Sequence, residues 1–108
     1  MPQTDVPTAR RVAAAIGVCV LPSTRREKKL DVYVEGRRVA SIGAIDYGDF
    51  LTHGDPQRRK DYKRRHGKYR HREGTPSFYA DKILWPSDAL LRRAQRLPLP
   101  RACERVKK

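Results

Sequence analysis

Cysteine is scarce in this chain. The two present in 108 residues, Cys19 and Cys103, lack Cys-x-x-Cys spacing, so neither a zinc knuckle nor a disulfide framework is expected, and a reducing compartment is the default. Large apolar residues are few as well: Leu, Ile, Val and Phe together number 22, beside one tryptophan and one methionine. That share lies near the roughly 20% below which highly charged chains stay disordered, so the expected core is small, inside a body of about 70 to 80 residues. No long hydrophobic run exists. The longest, Val12 to Leu21, is half of what a bilayer span requires, which excludes a transmembrane helix and predicts a soluble chain. Arg10-Arg11 before it imitate a signal peptide, but Pro22-Ser23-Thr24-Arg25 offers no small-x-small cleavage site, so secretion is not expected. Acidic residues are also in deficit: 12 Asp+Glu against 25 Lys+Arg leave a net charge of +13, which calls for an acidic partner.

What is present predicts an α+β fold: a small β-hairpin or three-stranded sheet, then two to three short helices, with extended N- and C-terminal arms. Pro2 and Pro7 among polar residues make 1–8 an arm, and 1–17 as a whole is assigned to it, with Thr8 capping a short helix through Ala13-Ala14-Ala15 that Gly17 ends. The single domain then runs over 18–97. Val18-Cys19-Val20-Leu21 reads as a short buried strand, and the polar run from Ser23 to Lys29 as a basic connector. Leu30, Val32 and Val34 alternate with polar residues before Gly36, and Val39 to Ala44 resumes the pattern, so a hairpin is expected over 30–44. A type II′ turn at Gly36-Arg37 would set Val34 opposite Val39, although a slip of one residue remains open. Asp55-Pro56 and Gly67 bracket a basic helix over 55–66. Thr75-Pro76 opens another over 76–85, and Ser87-Asp88 a third over 87–97, whose Leu90, Ala94 and Leu97 form a stripe expected to lie on the sheet above Trp85. Residues 98–108 read as a basic C-terminal arm.

Charge concentrates between His53 and Glu73, where nine Lys+Arg, three acids, all three histidines and two tyrosines occur. A helix from Pro56 has no apolar face, so either internal ion pairs hold it, as a merely solvated charged helix, or an acidic surface does. Arginine forks match phosphate or carboxylate oxygens in pairs, and tyrosines stack on bases or side chains. The candidate polyanion- or partner-binding set is therefore His53, Arg58, Arg59, Tyr62, Lys63, Arg65, His66, Tyr69 and Arg70. No helix-turn-helix, zinc-finger or RNA-recognition signature accompanies it. The histidines at 53, 66 and 71 match no common zinc spacing, and Asp46, Asp49 and Asp55 beside glycines read as turn and cap residues before magnesium ligands, so no metal and no cofactor are expected. No nucleophile, base and orienter can be nominated together, which argues against an enzyme and a small-molecule substrate.

The run from Ser23 to Lys29, the hairpin, then Gly43-Ala44-x-x-Tyr47-x-Asp49-Phe50-x-x-His53-x-Asp55-x-x-Arg58-Arg59-x-x-Tyr62-x-x-Arg65-His66, and finally Phe78 and Leu84-Trp85, resembles a small basic family of nucleocytoplasmic large DNA viruses. The resemblance covers about residues 22–97, with the spacing from His53 to His66 its most specific part. This chain departs from it at Tyr69-Arg70-His71-Arg72, where the family pattern carries an additional tryptophan, and has fewer aromatics around Phe78. The resemblance implies a viral setting and no mechanism. Large icosahedral shells need small proteins that join neighbouring subunits, and arms on a minimal body suit that task. The expectation is thus a minor capsid or virion structural protein that meets acidic surfaces of other virion proteins, found in the virion and at the assembly site in the host cytoplasm. The alternative is a DNA- or other nucleic-acid-binding protein acting in genome packaging or viral expression.

Overall fold

The computed structural model describes residues 4–101 and residue 103, with backbone alone at 68 and 69. Helix α1 (Val6–Ala15) precedes strands β1 (Cys19–Pro22), β2 (Lys28–Val34) and β3 (Arg37–Ala44). After them come α2 (Phe50–His53), α3 (Pro56–His66), a 3-10 turn at Gly67–His71, α4 (Pro76–Ile83) and α5 (Asp88–Gln95). The architecture is α+β, as the alternation of Leu30, Val32 and Val34 and the capped helical stretches predict. No described helix is long and apolar enough to cross a membrane.

The three strands form one antiparallel sheet in the order β1-β2-β3. Val20 pairs with Val32, which pairs with Ala40, and Pro22 pairs with Leu30, which pairs with Ile42. Val20, Leu30, Val32, Ala40 and Ile42 are all buried, because alternate residues of a strand share one face. The hairpin takes the slipped register. Val34 pairs with Arg37 across a two-residue turn in which Glu35 (φ 51°) and Gly36 (φ 81°) are both left-handed, the signature of a type I′ turn in place of the II′ turn expected at Gly36-Arg37. Tyr33 then faces Arg38 and Val32 faces Ala40, so Val39 is the extra residue of a β-bulge and stays exposed. Without that bulge, Ala40 and Ile42 would turn away from the core.

Helix α1 corrects the assignment of 1–17 to an arm. Asp5, not Thr8, caps it by accepting from the Thr8 amide at 3.1 Å, and Pro7 is tolerated because the first turn needs no amide donors. Ala9, Val12 and Ala13 are fully buried, packed against β1, α4 and α5. Helix α5 carries the expected stripe, with Leu90 and Ala94 buried, but sets it mainly against α1. Arg93 secures that contact by donating to the Ala15 carbonyl at 3.0 Å. The sheet is covered instead by α1 at β1 and by α4 at β3, where Ile83 and the following Leu84 and Trp85 enter the core. Gly43 (φ 79°) permits this approach, since a Cβ there would lie 2.8 Å from Leu84 Cδ1.

The cysteines also depart from expectation. Cys19 and Cys103 form a disulfide with Cα atoms 5.7 Å apart, within ordinary disulfide geometry. Sequence spacing conceals the pair, because 84 positions separate the two residues. They meet because the chain after α5 passes α1, where Arg10 donates to the Pro100 carbonyl, and Cys103 reaches β1, its Sγ 3.4 Å from the Val20 carbonyl. The described part of the expected C-terminal arm is therefore tied to the body. Residues 1–3, 102 and 104–108 of the two expected arms lie outside the described residues.

Candidate polyanion-binding face

Asp55 nucleates α3 by accepting from the amides of Gln57 (2.9 Å) and Arg58 (3.4 Å), with Pro56 at the first helical position. Gly67 ends it. Within this helix the cations divide into two groups. Arg59 and Lys63, one turn apart, point toward the body. Arg59 donates to the Pro86 carbonyl at 3.0 Å and pairs with Asp88 at 2.9 Å, while its guanidinium lies 4.2 Å from the Phe50 ring centre. Lys63 reaches Asp81 at 3.1 Å. Both are struts between α3 and the α4–α5 region. Arg58, Lys60, Arg64 and Arg65 face outward, with Arg64 held loosely to Asp61 at 3.3 Å and Arg58 to Asp55 at 3.8 Å.

Asp81 is the node beneath the helix. Its carboxylate is fully buried and has Lys63, Lys82 (3.4 Å) and Arg70 (3.7 Å) around it. Burial pushes the Lys63 ammonium below its usual range, and the charges of Arg70 and Lys82 push the same way, although the Asp81 hydrogen bond and charge oppose this. Three cations on one carboxylate make Arg70 a structural residue as well.

Tyr62 is the one buried residue of α3. Its ring stacks on Trp85 (centroids 4.3 Å apart, 9° between planes) and has His66 against it in a tilted arrangement (4.0 Å, 32°). Burial, then the Asp81 charge, raises its phenol to about 12, against an opposing pull from Arg65. His53 closes α2, lies 5.4 Å from Trp85, and accepts the Asp55 amide at Nδ1 (2.9 Å). Burial and the nearby Arg58 hold its imidazole below the usual histidine range, against the pull of Asp55 and Asp49. An accepting Nδ1 puts the remaining proton on Nε2, which is buried and has no partner among the described residues.

His53, Arg58, Tyr62, Arg65 and His66 border one cavity of about 550 Å³. Its other walls come from the β3–α2 loop (Tyr47, Gly48), from Asp49 and Asp61, and from Trp85. Of the nine residues singled out in the sequence, these five are brought together, Arg59, Lys63 and Arg70 are turned to internal pairing, and the Tyr69 side chain lies outside the described part of the chain. The loop residues were missed. Tyr47 sits between Gly43 and Gly48, and the glycine punctuation marks a loop without saying which side chain it presents. Asp49 and Asp55 serve as helix caps, with Asp49 also holding Lys29 at 2.8 Å and Thr4 at 2.6 Å. Among the described residues no three His, Cys, Asp or Glu side chains cluster as metal ligands would.

The elements carrying this face are those for which known sequences offer a likeness. Residues 18–66 match a family of unknown function (DUF5754), a stretch of 49 of the 108 residues that runs through the sheet to the end of α3 and leaves α1, α4 and α5 outside. No curated protein and no solved structure matches the chain.

Proposed function

We propose that this chain is a non-enzymatic nucleic-acid-binding protein of a large DNA virus, acting in genome packaging or viral expression, with the outer face of α3 as its docking surface. The division of cations along α3 carries this reading. A helix anchored by the Arg59 and Lys63 struts leaves Lys60 and Arg65 without an ion pair among the described residues and Arg58 and Arg64 in exposed pairs only, so that their charge is available to phosphates. The viral setting comes from the resemblance of residues 22–97.

A second reading, a minor capsid protein bridging acidic neighbours, draws on the spread of charge. Exposed cations also occupy the β1–β2 connector (Arg25, Arg26), the hairpin (Arg37, Arg38) and α5 with its C-terminal cap (Arg92, Arg96), more faces than one linear partner covers. Among the described residues its arms are shorter than that reading expects, since α1 is core and Pro100 and Cys103 are tied to the body.

Binding to duplex DNA as a function of salt tests the proposal. Changing Arg58, Lys60, Arg64 and Arg65 together to Gln should abolish tight binding at unchanged thermal stability, and should remove up to about 3.6 from the log-log salt slope, about 0.9 for each phosphate contact. Affinity indifferent to the quadruple change would sink the reading.

A further inference from the structure

We infer that the cavity between α3 and the β3–α2 loop seats one unpaired nucleotide of a single-stranded nucleic acid, an inference that rests on the nucleic-acid reading of this face. Size comes first: about 550 Å³ lies inside the roughly 300–1,000 Å³ of sites that enclose a small molecule or a single unit of a polymer. The chemistry of the walls is more specific. Arg58 and Arg65 stand two turns apart on the same side of α3, and Arg65 has no ion pair among the described residues. They offer forked donors to successive phosphates. His53 completes this side of the wall, its ring held in place by the Asp55 amide at Nδ1.

The rings decide between duplex and single strand. Tyr47 is 74% exposed at the cavity wall, and His66, packed against Tyr62, borders the same cavity. Exposed rings interleaved with arginines recognise a base by its flat face, which a duplex keeps inside and a single strand can present. The carboxylates at the wall do not oppose an anion freely, because Asp49 is held by Lys29, Thr4 and the Thr52 amide, and Asp61 by Gln57 and Arg64. An acidic peptide would satisfy Arg58 and Arg65 and would leave Tyr47 without a role.

Fluorescence anisotropy with a labelled thymidine 12-mer, a duplex of the same length and a poly-glutamate peptide tests this on the full chain, with Tyr47→Ala and Arg65→Gln as variants. The single strand should bind about tenfold or more tightly than the duplex, and Tyr47→Ala should remove about tenfold of that affinity while sparing the duplex, the salt slope and the melting temperature. Arg65→Gln should instead lower the single-strand salt slope by about 0.7. Equal affinity for both nucleic acids, with Tyr47→Ala silent, would overturn the nucleotide seat and leave the nucleic-acid reading standing. Binding of poly-glutamate with no binding of either nucleic acid at low salt would overturn both.

Discussion

Reducing the Cys19–Cys103 bond should destabilise the protein by an amount that its position bounds on both sides. Cross-linking two residues removes loop-closure entropy from the unfolded chain, and the chain-entropy relation for the 84-residue separation gives about 4.6 kcal/mol at 25 °C. That is the ceiling, reached if the Arg10–Pro100 contact holds the end of the described chain in place without the bond. If that end detaches on reduction, the folded state also regains freedom, and the comparison becomes closure of an 84-residue loop in the unfolded chain against tethering of about six residues in the folded one. The difference, 1.5RT ln(84/6), is about 2.3 kcal/mol and sets the floor. Urea unfolding followed by tryptophan fluorescence, with and without dithiothreitol, reads the effect. At a urea dependence of about 1.5 kcal/mol per molar, the midpoint should fall by about 1.5 to 3 M, with a steeper slope as the uncrosslinked chain expands. Cys103→Ser should reproduce the reduced curve and be indifferent to reductant. Coincident oxidised and reduced curves in the wild type would refute the reasoning, because no arrangement of the 98–103 segment makes an 84-residue closure free.

Two further outcomes follow from buried carboxylates. Asp81→Asn leaves Lys63, Arg70 and Lys82 facing one another without their shared counter-charge, and should cost about 3 kcal/mol, at the low end for a broken buried pair because the cation heads keep partial access to water. Scanning calorimetry should record a fall of about 12 °C, partly restored by adding Lys63→Met; an unchanged melting temperature would mean that the node contributes nothing. Asp31 behaves differently, since burial raises its carboxyl but hydrogen bonds from Ser41, Ser23 and the Thr24 amide, with Arg38, lower it further, below its ordinary 3.8. A depressed folded value means stability that is present above about pH 3.8 and lost as pH falls through that lower value. Melting temperatures measured from pH 6 to 2 should therefore fall more steeply in the wild type than in Asp31→Asn below about pH 4, and parallel profiles would remove Asp31 from the acid transition.

Most element boundaries in this protein were legible in short stretches of sequence. Asp55-Pro56 with Gly67, Thr75-Pro76, and Ser87-Asp88 each state a helix end through groups within four residues of one another, so no distant contact is needed to read them. The alternation through Leu30, Val32 and Val34 likewise declares a strand with one buried face. The hairpin turn lay at the limit of that logic: Gly36 marks a turn, but the left-handed Glu35 and the bulge at Val39 follow from Ala40 and Ile42 having to meet the core. The rest was decided through space. Val6 to Ala15 reads as half an arm until α5 offers a surface that makes burying Ala9, Val12 and Ala13 favourable. Cys19 and Cys103 are unrelated at a separation of 84 until the chain passes α1 at Pro100 and brings Cys103 to β1. The candidate site divides in the same way. A run of cations on α3 is plain from composition, but whether Arg59 supports the fold or Arg58 meets a ligand depends on where Asp88, Pro86 and Phe50 stand, and those positions are set by packing of segments far apart in the chain. Local hydrogen bonding and periodicity operate over a few residues and are written in order. The direction in which a charged side chain turns is a balance of burial and pairing against partners that exist only once the chain has closed on itself.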